Sequence, residues 1–162
     1  MSGNVIRSGL GYDIHRLKKG RPFLLAGVEI PSPKGEDGHS DGDALAHALC
    51  DAILGAAALG DIGEMYPPSD PAWKNADSMQ LLRGAFARVK QAGWKISNAD
   101  CVIICEQPKI LPYRDVIRKS ICEALEIPIE DVFIKGKTAE RLGSIGKGKA
   151  VEVFAQCLLV RG

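Results

Sequence analysis

The sequence predicts an α+β fold: a single domain over residues 1–162, with a four-stranded mixed sheet and helices on one face. Segments in which apolar residues alternate, the period of a strand, stand near both ends of the chain and between its helical stretches. Those helical stretches read as two successive helices and a later third, giving the order β-β-α-α-β-α-β-β. No internal repeat and no linker divides the chain, and 162 residues suit one domain with its own core.

Residues 4–17, "NVIRSGLGYDIHRL", alternate as a strand and put Asp13 and His15 on one face. After a turn at "KKGR", "PFLLAGVEI" is a short apolar strand closed by Pro31 and Pro33. "PSPKGEDGHSDGD" reads as a loop, being rich in Gly, Pro, Ser and Asp. A helix then opens at Asp41 or Asp43 as an acidic N-cap and closes at Gly60. It is apolar on nearly every side except the stripe Asp43, His47, Asp51, at i, i+4 and i+8. A helix this apolar is buried, and a buried polar stripe is costly without partners. Residues 61–77 form a Pro-containing loop, and "SMQLLRGAFARVKQAG" an amphipathic helix capped by Asp77 or Ser78. "KISNADCVIICEQ" is a strand, and "PKILPYRDVIRKSICEALEI" a loop leading into a helix. "DVFIKGKT" and "AVEVFAQCLLV" are strands joined by the Gly-rich "AERLGSIGKGK".

Composition excludes several functions. Twenty-one basic against 20 acidic residues leave a net charge of +1, without the cationic surplus that a sequence-independent nucleic-acid binder needs. No apolar run reaches membrane-spanning length. "MSGNVIRSG" lacks the apolar centre of a signal peptide, so a cytoplasmic, bacterial-type protein is expected; a processed plastid form would look the same. The 5 cysteines lie in apolar segments with no CxxC pair, which predicts buried reduced thiols.

The 3 histidines, His15, His39 and His47, all stand near aspartates. Two imidazoles and one carboxylate, Asp13 with His15 and His47, are a ligand set for catalytic zinc with a fourth position left for water or substrate. The same set serves non-heme iron, so the metal does not follow from the ligands. Taken singly, His15 also reads as a surface histidine and His47 as a hydrogen-bonded core histidine. His39 and Ser40 precede a helix N-terminus, where backbone N–H groups attract anions, although "HSDGD" is equally a plain capping loop. "KGKTAERLGSIGKGK" mixes lysines and glycines as a phosphate-binding loop or a solvated hairpin would, yet it is neither a P-loop nor a dinucleotide fingerprint. Within it Glu140 could hold Mg²⁺ against a diphosphate.

Together "GYDIH", "HSDGDALAHALCDAILGAAALGDIG", "DPAWKNADS", "QPKILPY" and "KTAERLGSIGKG" resemble the 2-C-methyl-D-erythritol 2,4-cyclodiphosphate synthase family, in order over essentially the whole chain. The resemblance implies a homotrimer with active sites at subunit interfaces, and a nucleotide-linked small-molecule substrate closed to a cyclic diphosphate with loss of CMP. It implies Zn²⁺ on Asp13, His15 and His47, with Mg²⁺ or Mn²⁺ on Glu140. It makes His39 and Thr138 the pair that steadies the transition state. It assigns substrate contacts to Ser40, to Asp61, Ile62 and Gly63, and to Tyr66, Pro67, Pro68, Ser69 and Asp70. Cys105, Glu106, Gln107, Pro108, Lys109, Ile110 and Leu111 match its cytidine pocket, with Lys137 and Lys147 as further substrate contacts. Asp51 matches a residue supporting the zinc site, a common need of ligating histidines.

The chain departs from the family's pattern at three places. Ser144 replaces a usual aromatic, which puts a hydrophobic ligand at the trimer axis in doubt. Lys147 replaces a frequent Arg and loses bidentate anion geometry. Pro68 stands where an acid is common. Two rival readings are a metal-dependent phosphoesterase and a non-catalytic trimeric module that binds nucleotide or isoprenoid diphosphate.

Overall fold

The computed structural model describes residues 5–38 and 40–162. Strands β1 (Val5–Lys19), β4 (Lys34–Asp37), β5 (Lys95–Ile104), β6 (Val132–Lys137) and β7 (Ala150–Arg161) form one sheet in the order β4-β1-β7-β5-β6. Among the described residues only β5 and β6 run parallel, so the sheet is mixed as expected. It has five strands rather than four. The extra strand, β4, lies inside the segment expected to be a loop and pairs with the end of β1, from Arg16↔Asp37 to Lys19↔Lys34. Its glycine and acidic residues hide it from a pattern search, because edge pairing is set by the neighbouring strand more than by propensity. The expected strand "PFLLAGVEI" is instead a hairpin, β2 (Phe23–Leu25) and β3 (Val28–Ile30), outside the main sheet. Ala26 and Gly27 turn it with φ of 49° and 73°, the positive angles of a tight hairpin turn.

Of the main helices, α1 (Ala44–Ala57) and α4 (Arg114–Leu125) pack on the sheet and α3 (Ser78–Gln91) packs on them, while two single turns, α2 (Ile62–Met65) and α5 (Gly143–Gly146), punctuate the loops. Helix α1 lies on β1 and β7. In β1 the odd-numbered residues from Gly9 face the helices, while Leu10, Tyr12 and Ile14 stay exposed on the opposite face. Contact with α1 is very close: a Cβ on Gly11 would meet Ala48 O at 1.8 Å, and one on Gly9 would meet Ala52 O at 2.0 Å. Glycines on the strand against alanines on the helix let α1 settle onto β1 just beside Asp13 and His15. Asp43 caps α1 by accepting from Ala46 N–H at 3.0 Å.

Candidate active site

Asp13 and His15 sit at alternate positions of β1, so the pleat sends both side chains toward α1. His47, one turn into α1, comes down to meet them. Its Nδ1 is 3.0 Å from Asp13 Oδ2, and His15 Nδ1 is 3.4 Å from the same oxygen. The two rings meet edge to face with centroids 5.3 Å apart. One donor atom from each of the three residues falls within 4.8 Å of the others. His15 Nδ1 is buried and lacks a hydrogen-bond partner among the described residues. An unpartnered imidazole nitrogen facing a carboxylate and a second imidazole fits a cation with carboxylate and nitrogen ligands.

The surroundings keep His47 in place. Its Nε2 is 2.8 Å from Ser78 Oγ and 2.9 Å from Ser40 Oγ. Ser78 O–H in turn donates to Asp41 Oδ1, and Ser78 N–H donates to Asp41 Oδ2 at 3.0 Å. Glu36, wholly buried on β4, stands with Oε2 3.6 Å from His15 Nδ1 and accepts from Ala44 N–H at 2.7 Å. Burial pushes its carboxyl up to about 8, against the pull of His15 and of the Ala44 N–H. For His15, burial works to lower the pKa, but the carboxylates of Glu36 and Asp13 outweigh it and the net shift is upward.

His15 and His47, with Asp13 beside them, open onto a cleft of about 590 Å³. Its lining brings together His15 and His47 with Ser40, Ile62, Gly63, Tyr66, Pro68, Ser69 and Asp70, all expected at the site. Asp61 and Pro67 do not line it; Asp61 caps α2 through Glu64 N–H at 2.8 Å. Asp51 Oδ1 accepts from Ile62 N–H at 2.8 Å, so it braces the start of that loop. Burial raises its pKa. Pro71, Trp73, Lys74 and Leu81 also line the cleft and were not foreseen. Trp73 packs edge to face on Tyr66 at 4.9 Å, while Tyr66 O–H is held by Leu81 O at 2.9 Å. A lone tryptophan in a polar loop was the available signal.

A second hollow of about 200 Å³ is lined by Cys105, Pro108, Lys109, Ile110, Leu111, Arg114, Gly136, Lys137 and Thr138. It shares no lining residue with the cleft. Of the residues expected there, Glu106 and Gln107 do not line it. Glu106 instead accepts from Ala139 N–H at 3.0 Å and Arg141 N–H at 3.2 Å, fixing the loop after Thr138. Glu140, exposed and at φ 51°, accepts from Thr138 O–H at 2.5 Å. Lys147 lines neither cavity and ends α5. His39 lies outside the described residues.

Fold and site together define a class: an α+β domain whose longest strand and buried helix bring one carboxylate and two imidazoles to the head of a cleft. Comparison with known proteins narrows it. Residues 6–160 match the YgbB family, and the chain belongs to it. A relative from Treponema denticola, named 2-C-methyl-D-erythritol 2,4-cyclodiphosphate synthase, is 57% identical over 154 residues, covering 95% of this chain and 96% of its own. Among solved structures, the bifunctional IspDF of Campylobacter jejuni superposes with a TM-score of 0.95 at 40% identity, over 99% of this chain and 43% of that one. The IspF–CDP complex of Plasmodium falciparum gives 0.86 at 39% identity, over 99% of both chains.

Proposed function

We propose that this chain is a cyclodiphosphate synthase of the non-mevalonate route to isoprenoid precursors. It converts 4-diphosphocytidyl-2-C-methyl-D-erythritol 2-phosphate to the 2,4-cyclodiphosphate and CMP. An oxygen of the substrate's 2-phosphate attacks the diphosphate phosphorus nearer the erythritol. The bond from that phosphorus to the bridging oxygen breaks, and CMP leaves with the bridging oxygen. The observation that carries the reading is the meeting of Asp13, His15 and His47 at the head of a cleft lined by Ser40, Ile62, Gly63, Tyr66 and Pro68–Asp70.

No protein nucleophile is required, so catalysis consists of positioning and charge neutralisation. Asp13, His15 and His47 would hold Zn²⁺ or a similar transition metal, and Glu140 a Mg²⁺ or Mn²⁺; when bound, these cations neutralise phosphate charge. Ser40 holds a phosphate oxygen, and Asp51 keeps Ile62 and Gly63 against the substrate. The Tyr66–Trp73 pair walls the erythritol off from water. His39 and Thr138 steady the charge that develops, with Lys137 and Lys147 beside them. The hollow formed by Cys105 and Pro108–Leu111 receives cytidine.

The division of the site supports a homotrimeric assembly. Cleft and hollow are built from different residues, and the substrate has a phosphate-bearing end and a nucleotide end. In a homotrimer the hollow of one subunit completes the cleft of the next. The exposed face of the sheet suits such an assembly, with Ile6, Leu10, Tyr12, Ile14 and Phe133 at its surface. The whole of residues 1–162 acts as one catalytic domain in this reading. A cytoplasmic setting fits its substrate, and among the described residues no helix is long and apolar enough to cross a membrane.

Phosphorus NMR of the protein with substrate and Mg²⁺, with and without a chelator, tests the reaction. The expected result is a cyclic diphosphate with stoichiometric CMP, stopped by the chelator. Linear phosphates or unchanged substrate would overturn it.

A further inference from the structure

We propose that Asp41 and Ser78 are a positioning pair that sets the tautomer of His47, so that Nδ1 is the nitrogen turned to the cation. The proposal rests on the reading of Asp13, His15 and His47 as a cation site. Its basis is the order of hydrogen bonds behind that site.

Ser78 opens α3 and is wholly buried. Its hydroxyl has one hydrogen, and that hydrogen goes to Asp41 Oδ1. An ionised carboxylate can only accept, so the direction of this bond is fixed. Ser78 Oγ is then left with lone pairs, and it faces His47 Nε2 at 2.8 Å. Two lone pairs at that distance repel; the contact is favourable only when Nε2 carries a hydrogen and donates it. Ser40 Oγ, 2.9 Å from Nε2 and 3.2 Å from Ser78 Oγ, gives its own hydrogen to Ser78 Oγ in this arrangement and shares the Nε2 hydrogen. Ser40 Oγ also accepts Gly42 N–H at 3.3 Å.

A neutral imidazole has one N–H. With it held at Nε2, Nδ1 presents a lone pair to Asp13 Oδ2 at 3.0 Å. Lone pair and carboxylate oxygen also repel unless a cation lies between them. The hydrogen bonds from Asp41 through Ser78 therefore leave His47 as an Nδ1 ligand before any metal arrives. Partners of this kind on the second nitrogen of a ligating histidine are a general requirement of metal sites. Asp51, which the family resemblance suggested as a support of the zinc site, accepts from Ile62 N–H.

Two substitutions separate this arrangement from a structural cap. Ser78→Ala removes the hydroxyl acceptor but keeps the backbone N–H that Asp41 binds. Asp41→Asn keeps an oxygen for Ser78 N–H and places an NH₂ group at Ser78 Oγ. It gives up the 3.2 Å bond from Asp43 N–H. With the amide donating to Ser78 Oγ, the serine hydrogen turns to His47 Nε2, and the histidine is driven to the wrong tautomer. Zn²⁺ affinity is measured by competition with a chromogenic chelator, and the visible spectrum of Co²⁺ reports coordination.

Ser78→Ala should bind Zn²⁺ about 10–100-fold more weakly. Asp41→Asn should lose at least as much and show an altered Co²⁺ spectrum while remaining folded by circular dichroism. Variants with native affinity and spectrum would overturn the pair's role and leave the cation site standing. A wild-type chain that binds neither Zn²⁺ nor Co²⁺ would overturn the cation site, and this proposal with it. Nitrogen-15 NMR of the Zn²⁺-loaded wild type decides without any variant: a hydrogen on His47 Nε2 supports the proposal, and a hydrogen-free Nε2 refutes it.

Discussion

The contact between β1 and α1 is where fold and site depend on one another most directly, and Gly11→Ala probes it. An added Cβ would lie 1.8 Å from Ala48 O, against an ordinary contact of at least 3.4 Å, so strand and helix must part by about 1.6 Å. The obstacle is a backbone carbonyl of a buried helix rather than the end of a flexible side chain. Overpacking of this kind costs about 1–3 kcal/mol, and the rigidity of both partners puts this case at about 3 kcal/mol. For a domain of this size that lowers Tm by roughly 6–12 °C. Ala48 follows His47, and Gly11 lies two residues before Asp13, so the same displacement opens the cation site. Zn²⁺ affinity should fall together with Tm. Gly55→Ala is the control: it lies in the same helix, its Cβ meets nothing within 4 Å, and it should gain about 0.5–1 kcal/mol with native affinity. Gly11→Ala with the wild-type Tm and Zn²⁺ affinity would refute the reasoning.

Glu36 makes the metal-free protein lose stability as pH rises. Its carboxyl titrates near 4.5 when unfolded and at about 8 when folded, so the folded state holds the extra proton between those values. Denaturation of chelator-treated protein should show a contribution of up to about 1.4 kcal/mol per pH unit across that window. Glu36→Gln keeps an acceptor for Ala44 N–H and should remove that contribution; equal slopes in the two proteins would count against it. Burial pushes the thiols of Cys101 and Cys157 up to about 12. At pH 8 a thiol reagent should label Cys122, which is partly exposed, and reach the four buried cysteines only after unfolding. Rapid labelling of all five in the native protein would contradict this packing.

The sequence on its own determined the mixed α+β plan, the buried α1 and the alternation that puts Asp13 and His15 on one face. Each is a local matter, set by periods of two or 3.6 residues and by capping aspartates. It also supplied the ligand types, because histidines near acids are legible as chemistry wherever they stand. What it left to tertiary structure was every pairing between distant segments. Strand β4 was hidden because its partner is the end of β1, and nothing in "KGED" itself looks like a strand. Asp41 and Ser78 read as ordinary capping residues until a separation of 37 positions closes and puts them behind His47. Spacing along α1 put Asp51 on the stripe with His47, and the family resemblance suggested its supporting part, but its bond to Ile62 N–H comes from a loop that neither could locate. Periodicity tells which way a side chain points from its own element. What it meets there depends on a close approach such as Gly11 against Ala48, which only the packed structure determines.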